Sequence, residues 1–389
     1  MKKRIELGTA LFFIVAAVMI SCIVTYMYMA HMVERTTGKS AVFEKLSQVY
    51  QVINNRYIGE LDDDEAMDSL LSGYVDGIDQ YGVYLNKTDY LDFKNDQEGK
   101  QSGIGVSIKY IASSGYMKIS RVKAGSPCDE AGIKAGDVIC VVNDVDLSTL
   151  SYTEAAKRLK ANVGTELRLT LQRGETQFNA TVVVKEFKNA TVSYRPMVNQ
   201  IGYVAIYEFG QNTAADFKAA VEDLKGQGAT RFVFDVRNNT GGSLNAVAEV
   251  LDYILPKGTL CTVKDKEGEK ETYSSDEKCM TEKITVLING STYSGGELFA
   301  AAIRDFKYGT LVGATTYGKG MAQDVIPLGD DTALYLSTHL YYPPSGENYE
   351  GIGVAPDQEV LLSADAENRF YELTYEEDLQ LQAAVNALN

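Results

Sequence analysis

Hydrophobic and polar positions divide the chain into stretches of different texture. Residues 7–32 contain no Asp, Glu, Lys or Arg. At about 1.5 Å per residue, a helix of that length crosses a hydrocarbon core about 30 Å thick. From residue 41 to 95 the apolar positions follow a helical rhythm, with Val42, Leu46, Val49, Tyr50 and Ile53 on one face. From 103 to 187 the pattern changes to short β-rich runs: GIGVSIKY, YMKISRV, AGDVICVVN, ELRLTLQR and FNATVVVKEF. One helix interrupts them. Ser151 and Glu154 form a capping box ahead of Ala155, Ala156 and Leu159. Five strands and a couple of helices make this a small domain of its own.

From residue 201 onward strands and helices alternate. Residues 203–208 read as a strand, 213–225 as a helix with Phe217, Val221 and Leu224 on one stripe, and 231–236 as a buried strand. A glycine turn, RNNTGGS, leads into a helix that Pro256 stops, and strand 284–288 leads through a second glycine turn into a helix beginning near Ser294. This alternation predicts an α/β layer, and its two strand–turn–helix units invite one shared site at the C-terminal edge of the strands. A last helix, residues 375–388, puts Leu381, Val385 and Leu388 on one apolar stripe that some surface must cover: a second copy or the chain's own core.

Composition narrows the function classes. The 389 residues suffice for two or three domains, and 45% apolar with 23% charged residues is ordinary for globular protein. A formal charge of −16 with no basic stripe in the soluble part excludes a nucleic-acid role. Lys2, Lys3 and Arg4 precede the apolar run, so the positive-inside rule places the N-terminus in the cytoplasm and everything after Glu34 outside. The run exceeds a usual signal-peptide core and lacks a small-x-small cleavage site, which predicts a retained single-pass anchor in the cell membrane. Cys22 is followed at once by more apolar sequence and reads as a membrane-buried thiol. Cys128 and Cys140 read as small core residues, while Cys261 and Cys279 flank a charged hairpin and could pair in an oxidising compartment. With no CxxC and no Cys/His cluster there is no metal ligand set. The acidic run from Asp62 to Glu65 lacks calcium-loop spacing and suits a helix start.

Two side chains carry the candidate chemistry. Ser294 stands at a predicted helix N-terminus and Lys319 follows Gly318. The only histidines are His31, inside the apolar run, and His339, so a Ser-His-Asp site is poorly supported. Lysine is the other base that hydrolases pair with serine, provided burial keeps it neutral; a shift of roughly three units corresponds to about 4 kcal/mol. Spacing alone does not distinguish this pair from two unrelated surface residues. A phosphate-binding loop is the rival for residues 313–319, which fit GxxxxGK, but position 320 is glycine where Mg²⁺ needs Ser or Thr, and MAQDVIPL alternates like a strand.

These motifs, in this order, resemble the carboxyl-terminal processing peptidases, or tail-specific proteases. GIDQYGVYL (77–85) is similar to the family's N-terminal helical segment; GIGV (103–106) with SPCDEAGIKAGDVICVVND (126–144) resembles its PDZ domain; FDVRNNTGGSL (234–244) resembles its core strand and glycine turn. Residues 286–323 then carry its catalytic pattern. The resemblance implies an α+β and α/β multidomain chain: tip and transmembrane anchor (1–34), helical module (41–98), PDZ domain (99–188), crotonase/ClpP-like α/β serine protease core (189–365) and C-terminal helix (366–389). It implies a serine endopeptidase cutting near protein C-termini without a cofactor, with Ser294 as nucleophile, Lys319 as general base, Gln323 orienting the amine, and the amides of Gly242 and Gly295 as oxyanion donors. Gly103, Ile104, Gly105 and Val106 would bind the substrate's terminal carboxylate, the partners being proteins with C-terminal tails and a second copy of the chain. Thr292-Tyr293-Ser294-Gly295-Gly296 departs from the family's run of small residues, and Tyr293 would narrow the site. The alternative is an inactive membrane-tethered PDZ scaffold that only binds tails.

Overall fold

The computed structural model describes residues 17–28, 40–97 and 100–388. Residues 17–28 are helical, and the rest of the expected span 7–32 lies outside the described residues. Among the described residues no helix is long and apolar enough to cross a membrane. The chain divides into two compact units, residues 1–70 and 71–389.

In the first unit the helical rhythm becomes Ser40–Arg56. Its apolar positions Val49, Tyr50 and Ile53 are exposed. The acidic run starts the next helix, Asp63–Asp76, with Asp62 accepting the Asp64 and Glu65 amides at 3.1 and 3.0 Å. Carboxylates there neutralise orphan N–H groups.

In the second unit the β-rich runs form a six-stranded sheet from Val106–Ile111, Tyr116–Val122, Val138–Val142, Val145–Asp146, Glu166–Arg173 and Thr176–Val183. FNATVVVKEF is not one strand. It breaks at Val184, and its second half, Lys185–Lys188, pairs antiparallel with Lys100–Gly103. This ties the two ends of the domain together. The capping box forms as the sequence predicts: Glu154 Oε2 accepts the Ser151 amide at 2.9 Å while Ser151 Oγ accepts the Glu154 amide at 3.3 Å.

The core is a six-stranded sheet in the order Val192–Met197, Ile201–Ile206, Arg231–Asp235, Lys283–Ile288, Gly309–Gly313, Gln358–Glu359; all neighbours after the first pair are parallel. Phe232, Phe234, Val286 and Ile288 point to helices Thr213–Gly226, Leu244–Ile254 and Gly295–Asp305. The alternate residues Val233, Leu287 and Val312 pack on the C-terminal helix Leu379–Ala387. Burial of both faces explains the near-continuous apolar strands. Leu381, Val385 and Leu388 are therefore covered by the chain's own sheet and are not available to a second copy. The helix also starts at Leu379 rather than 375, because Asp378 caps it by accepting the Leu381 amide at 3.0 Å.

A second sheet has five strands. Its long strand, Ala333–Tyr342, pairs with Met321–Pro327, with Gly258–Asp265 and with Val83–Leu85. The segment preceding the PDZ domain is thus built into the same sheet as the strand that follows Lys319. Cys261 and Cys279 are free thiols, not a bridge; Cys261 is buried on Gly258–Asp265, and burial pushes its thiol up to about 12.

Candidate active site

Two loops leave the C-terminal ends of adjacent parallel strands, residues 236–243 after Arg231–Asp235 and residues 289–294 after Lys283–Ile288. A lattice of short bonds joins them. Thr292 Oγ1 donates to the Val236 carbonyl at 2.7 Å, the Tyr293 amide to the Asn239 carbonyl at 3.0 Å, and the Asn238 amide to Asn289 Oδ1 at 3.0 Å. Ser294, 7% exposed, ends the second loop at φ +57° and ψ −121°, a conformation that L residues rarely adopt. Such strain persists only where surroundings over-determine it. Here Glu297 Oε2 accepts the Ser294 amide at 2.9 Å, the Ser294 carbonyl accepts the Glu297 and Leu298 amides, and the Tyr349 hydroxyl donates to it at 3.3 Å. The serine hydroxyl meets the buried Tyr341 phenol, which burial keeps protonated.

Glu297 is fully buried and joins the two halves of the site. Besides the Ser294 amide, it accepts the Thr316 hydroxyl and the amides of Gly318 and Lys319, both at 2.7 Å. One carboxylate therefore fixes the turn bearing the serine and the turn bearing the lysine. Burial raises its pKa, opposed by these donors. Lys319 is half-buried, and its pKa falls below the usual lysine value because burial disfavours the ammonium; the charges of Asp79, Glu350 and Glu297 oppose the shift. Its Nζ lies over the Tyr81 ring at 4.8 Å and the Tyr293 ring at 5.8 Å from the centroids. Among the described residues it makes no hydrogen bond to Ser294. Tyr293 thus lines the lysine side of the site.

Among the described residues Gln323 makes no hydrogen bond to the lysine. Its Nε2 donates to Ser337 Oγ, its cross-strand partner, at 2.9 Å. The glycine turn packs directly against the serine. Phe209 holds the 241–243 backbone by accepting the Ser243 amide and donating to the Gly241 carbonyl, both at 2.7 Å. Neither the Gly242 nor the Gly295 amide is used by a hydrogen bond among the described residues. Gly241 passes so close that an added Cβ would sit 2.8 Å from Ser294 Cβ and 2.9 Å from the Gly295 nitrogen. Gly295 and Gly296 are likewise packing requirements, since Cβ atoms there would lie 2.9 Å from Val247 Cγ2 and from Asn239 Oδ1.

In the PDZ segment, the Ile104 and Gly105 carbonyls accept the Cys128 and Lys123 amides at 3.0 and 2.8 Å. The amides of Ile104 and Gly105 remain unused among the described residues, and Val106 opens the strand whose Tyr110 meets Tyr152 of helix Tyr152–Leu159 edge-on at 5.7 Å. Gly103 is taken up in the pairing with Lys185. The PDZ segment touches the core through Arg121, whose guanidinium stacks on Tyr207 at 3.5 Å, and through the Lys118–Glu372 ion pair at 2.9 Å.

Sequence reasoning missed Glu297, Asp79, Tyr81, Glu350 and Arg237. For Glu297 a signal existed, the Ser-x-x-Glu spacing at a helix start. The others converge from distant parts of the chain. Buried Arg237 is held by Asp235 (2.6 Å) and Asp378 (2.8 Å) beneath the glycine turn.

A buried serine and a half-buried lysine whose backbone amides share one glutamate, with glycine amides beside the serine, form an arrangement that a serine hydrolase can use. Residues 200–360 match peptidase family S41 and residues 94–172 match the PDZ domain. The carboxyl-terminal-processing protease of Synechocystis sp. is 30% identical over 319 residues, spanning 78% of this chain and 72% of the relative. That of Bartonella bacilliformis is 28% identical over 371 residues, spanning 93% and 85%. Among solved structures, a photosystem II D1 C-terminal processing protease shares the fold at a TM-score of 0.55 and 24% identity, over 84% of this chain and 89% of that one. A putative S41 protease from Bacteroides fragilis does so at 0.59 and 18%, over 85% and 92%. The chain belongs to the carboxyl-terminal processing proteases of peptidase family S41, which are serine proteases.

Proposed function

We propose that Ser294 and Lys319 form the catalytic dyad of a protease that cleaves extracytoplasmic proteins near their C-termini, on a crotonase/ClpP-like core. The observation that carries this reading is Glu297, whose one buried carboxylate accepts the backbone amides of both Ser294 and Lys319, a lysine of lowered pKa. With Lys319 neutral, its amine takes the Ser294 proton as Oγ bonds the scissile carbonyl carbon; the amides of Gly242 and Gly295 bind the oxyanion, a contribution of about 3 to 4 kcal/mol per donor. The carbon–nitrogen bond then breaks as Lys319 returns the proton to the leaving amine, and water hydrolyses the acyl ester by the same base. The amine must first leave its seat over Tyr81 and Tyr293. Gln323 supplies an acceptor that orients it.

The unused amides of Ile104 and Gly105, with Gly103 and Val106 flanking them, support a carboxylate loop that holds the substrate's C-terminus. The Arg121 and Lys118 contacts support coupling of that domain to the core. Residues 7–32 anchor the protease with its catalytic part on the extracytoplasmic side, a reading that rests on their uncharged run and the basic residues before it. The chain acts as a homodimer, supported by the exposed apolar positions of Ser40–Arg56; light scattering on residues 38–389 that finds only monomer at micromolar concentration rejects it.

The deciding experiment is active-site acylation. Ser294→Ala and Lys319→Ala should each abolish both labelling and cleavage, because nucleophile and base act as one unit. A single variant keeping more than about a tenth of the wild-type rate sinks the dyad. Absence of labelling in the wild-type chain, with tail binding intact, would favour the inactive scaffold.

A further inference from the structure

Asp79 belongs to the segment ahead of the PDZ domain, far in sequence from Gln323, yet the two meet through Ser337. Asp79 Oδ2 accepts the Ser337 amide at 2.7 Å and Oδ1 accepts the Ser337 hydroxyl at 3.0 Å, together with the Tyr81 amide at 3.0 Å. The same hydroxyl oxygen accepts Gln323 Nε2 at 2.9 Å. Every direction in this chain is forced. An ionised carboxylate has no proton to give, so the Ser337 proton points at Asp79, and Ser337 has only lone pairs left for Gln323. The NH₂ end of the amide must therefore face Ser337, which leaves Oε1 as the open acceptor; it bonds nothing among the described residues. Burial pushes the Asp79 pKa up, but the amides of Ser337, Tyr81 and Gly82 and the Ser337 hydroxyl outweigh it and hold the carboxyl below its usual range.

The direction matters because a neutral lysine carries two N–H donors and one lone pair. A carbonyl oxygen beside it takes an N–H and leaves the lone pair for the serine proton. A reversed amide would donate into the lone pair and block the base. We propose that Asp79, acting through Ser337, sets the orientation of the Gln323 amide and is thereby a positioning residue for the Lys319 amine, so that residues 77–85 complete the site of the protease core. This rests on the reading of Ser294, Lys319 and Gln323 as one catalytic group, in which Oε1 meets the amine once it leaves the tyrosine rings. Tyr81 shares the task from the same segment: its ring underlies the ammonium, and its hydroxyl donates to Glu350 Oε1 at 3.2 Å, whose Oε2 holds the Gly320 amide at 2.7 Å.

The test is a double-mutant cycle on the full chain, read as kcat and KM across pH. Ser337→Ala removes the constraint and should lower kcat about tenfold with KM unchanged, as expected for one lost orienting bond. Ser337→Thr keeps the hydroxyl and should restore the rate. Asp79→Asn keeps one acceptor oxygen but sets its NH₂ against the Ser337 or the Tyr81 amide, so the hold on Ser337 loosens and kcat should fall. It should also move the acid limb to lower pH, because one of the charges facing Lys319 is gone while Glu350, Glu297, Tyr81, Tyr293 and Tyr317 remain; Ser337→Ala should leave the limb in place. In a Gln323→Ala background neither change should lower the plateau kcat further, although Asp79→Asn should still move the limb. Wild-type kcat in both Ser337→Ala and Asp79→Asn, or an undiminished loss in the Gln323→Ala background, overturns the relay. If Lys319→Ala itself cleaves at the wild-type rate, the dyad falls first, an outcome distinct from failure of the relay alone.

Discussion

At the scale of single residues, Glu297 and Lys319 are one electrostatic problem. The carboxylate stays buried because four donors converge on it, and each donor belongs to the turn of Ser294 or the turn before and at Lys319. Glu297→Gln replaces one acceptor oxygen with a donor facing N–H groups, so unsatisfied buried amides should cost about 2 to 4 kcal/mol. Thermal unfolding should show that loss, and Ser294 acylation should fall by more than about a hundredfold through misplacement of both turns. Lys319 carries the opposite sign. Burial lowers its folded pKa below the unfolded value near 10.4. Its destabilising effect is fully present below the folded pKa, fades as pH rises between the two values, and is absent above the unfolded one. Cleavage should rise with pH through the same folded pKa. Lys319→Met should therefore be inactive yet melt higher than wild type at neutral pH, and converge toward it at alkaline pH. An equal or lower melting temperature at neutral pH would count against a neutralised lysine.

At the scale of elements, the site depends on how closely two strand–turn–helix units approach. The glycine turn runs against the N-terminus of Gly295–Asp305, and Gly241 at φ +83° leaves no room for a Cβ beside Ser294. Gly241→Ala should keep the sheet and its helices intact by circular dichroism. Shifting the turn at a backbone cost of about 1 to 3 kcal/mol should reduce acylation of Ser294 more than tenfold. Unaltered labelling would mean that the turn can relax and that the amides beside it are not held for an oxyanion.

At the scale of the whole molecule, the strand pairing of Val83–Leu85 with Ala333–Tyr342 and the Arg121–Tyr207 stack bring the pre-PDZ segment and the PDZ domain to the core that bears the serine. A domain attached in this way can bias catalysis only by contacting the core differently in two arrangements. Deleting residues 103–187 should abolish preference for tailed substrates. It should also slow turnover of a short unspecific peptide, because the contacts made by Arg121 and Lys118 support the core. Faster turnover would identify a lid, and unchanged rate and preference would identify a domain that neither reads nor gates.

The sequence by itself determined the α/β core, the β-rich domain and its capping box, and the identity of Ser294 and Lys319 as candidates, because strand alternation, helix stripes and caps are local properties of neighbouring residues. It also marked both glycine turns. It did not determine which surface covers Leu381, Val385 and Leu388, since an apolar stripe looks the same whether it meets its own sheet or a partner. Nor did it show that Gln323 binds Ser337 rather than Lys319, or that Asp79, Tyr81 and Glu350 surround the lysine. Those relations arise only when strands far apart in the chain pair in register, and hydrogen-bond direction and desolvation are properties of that assembled neighbourhood, not of any residue alone.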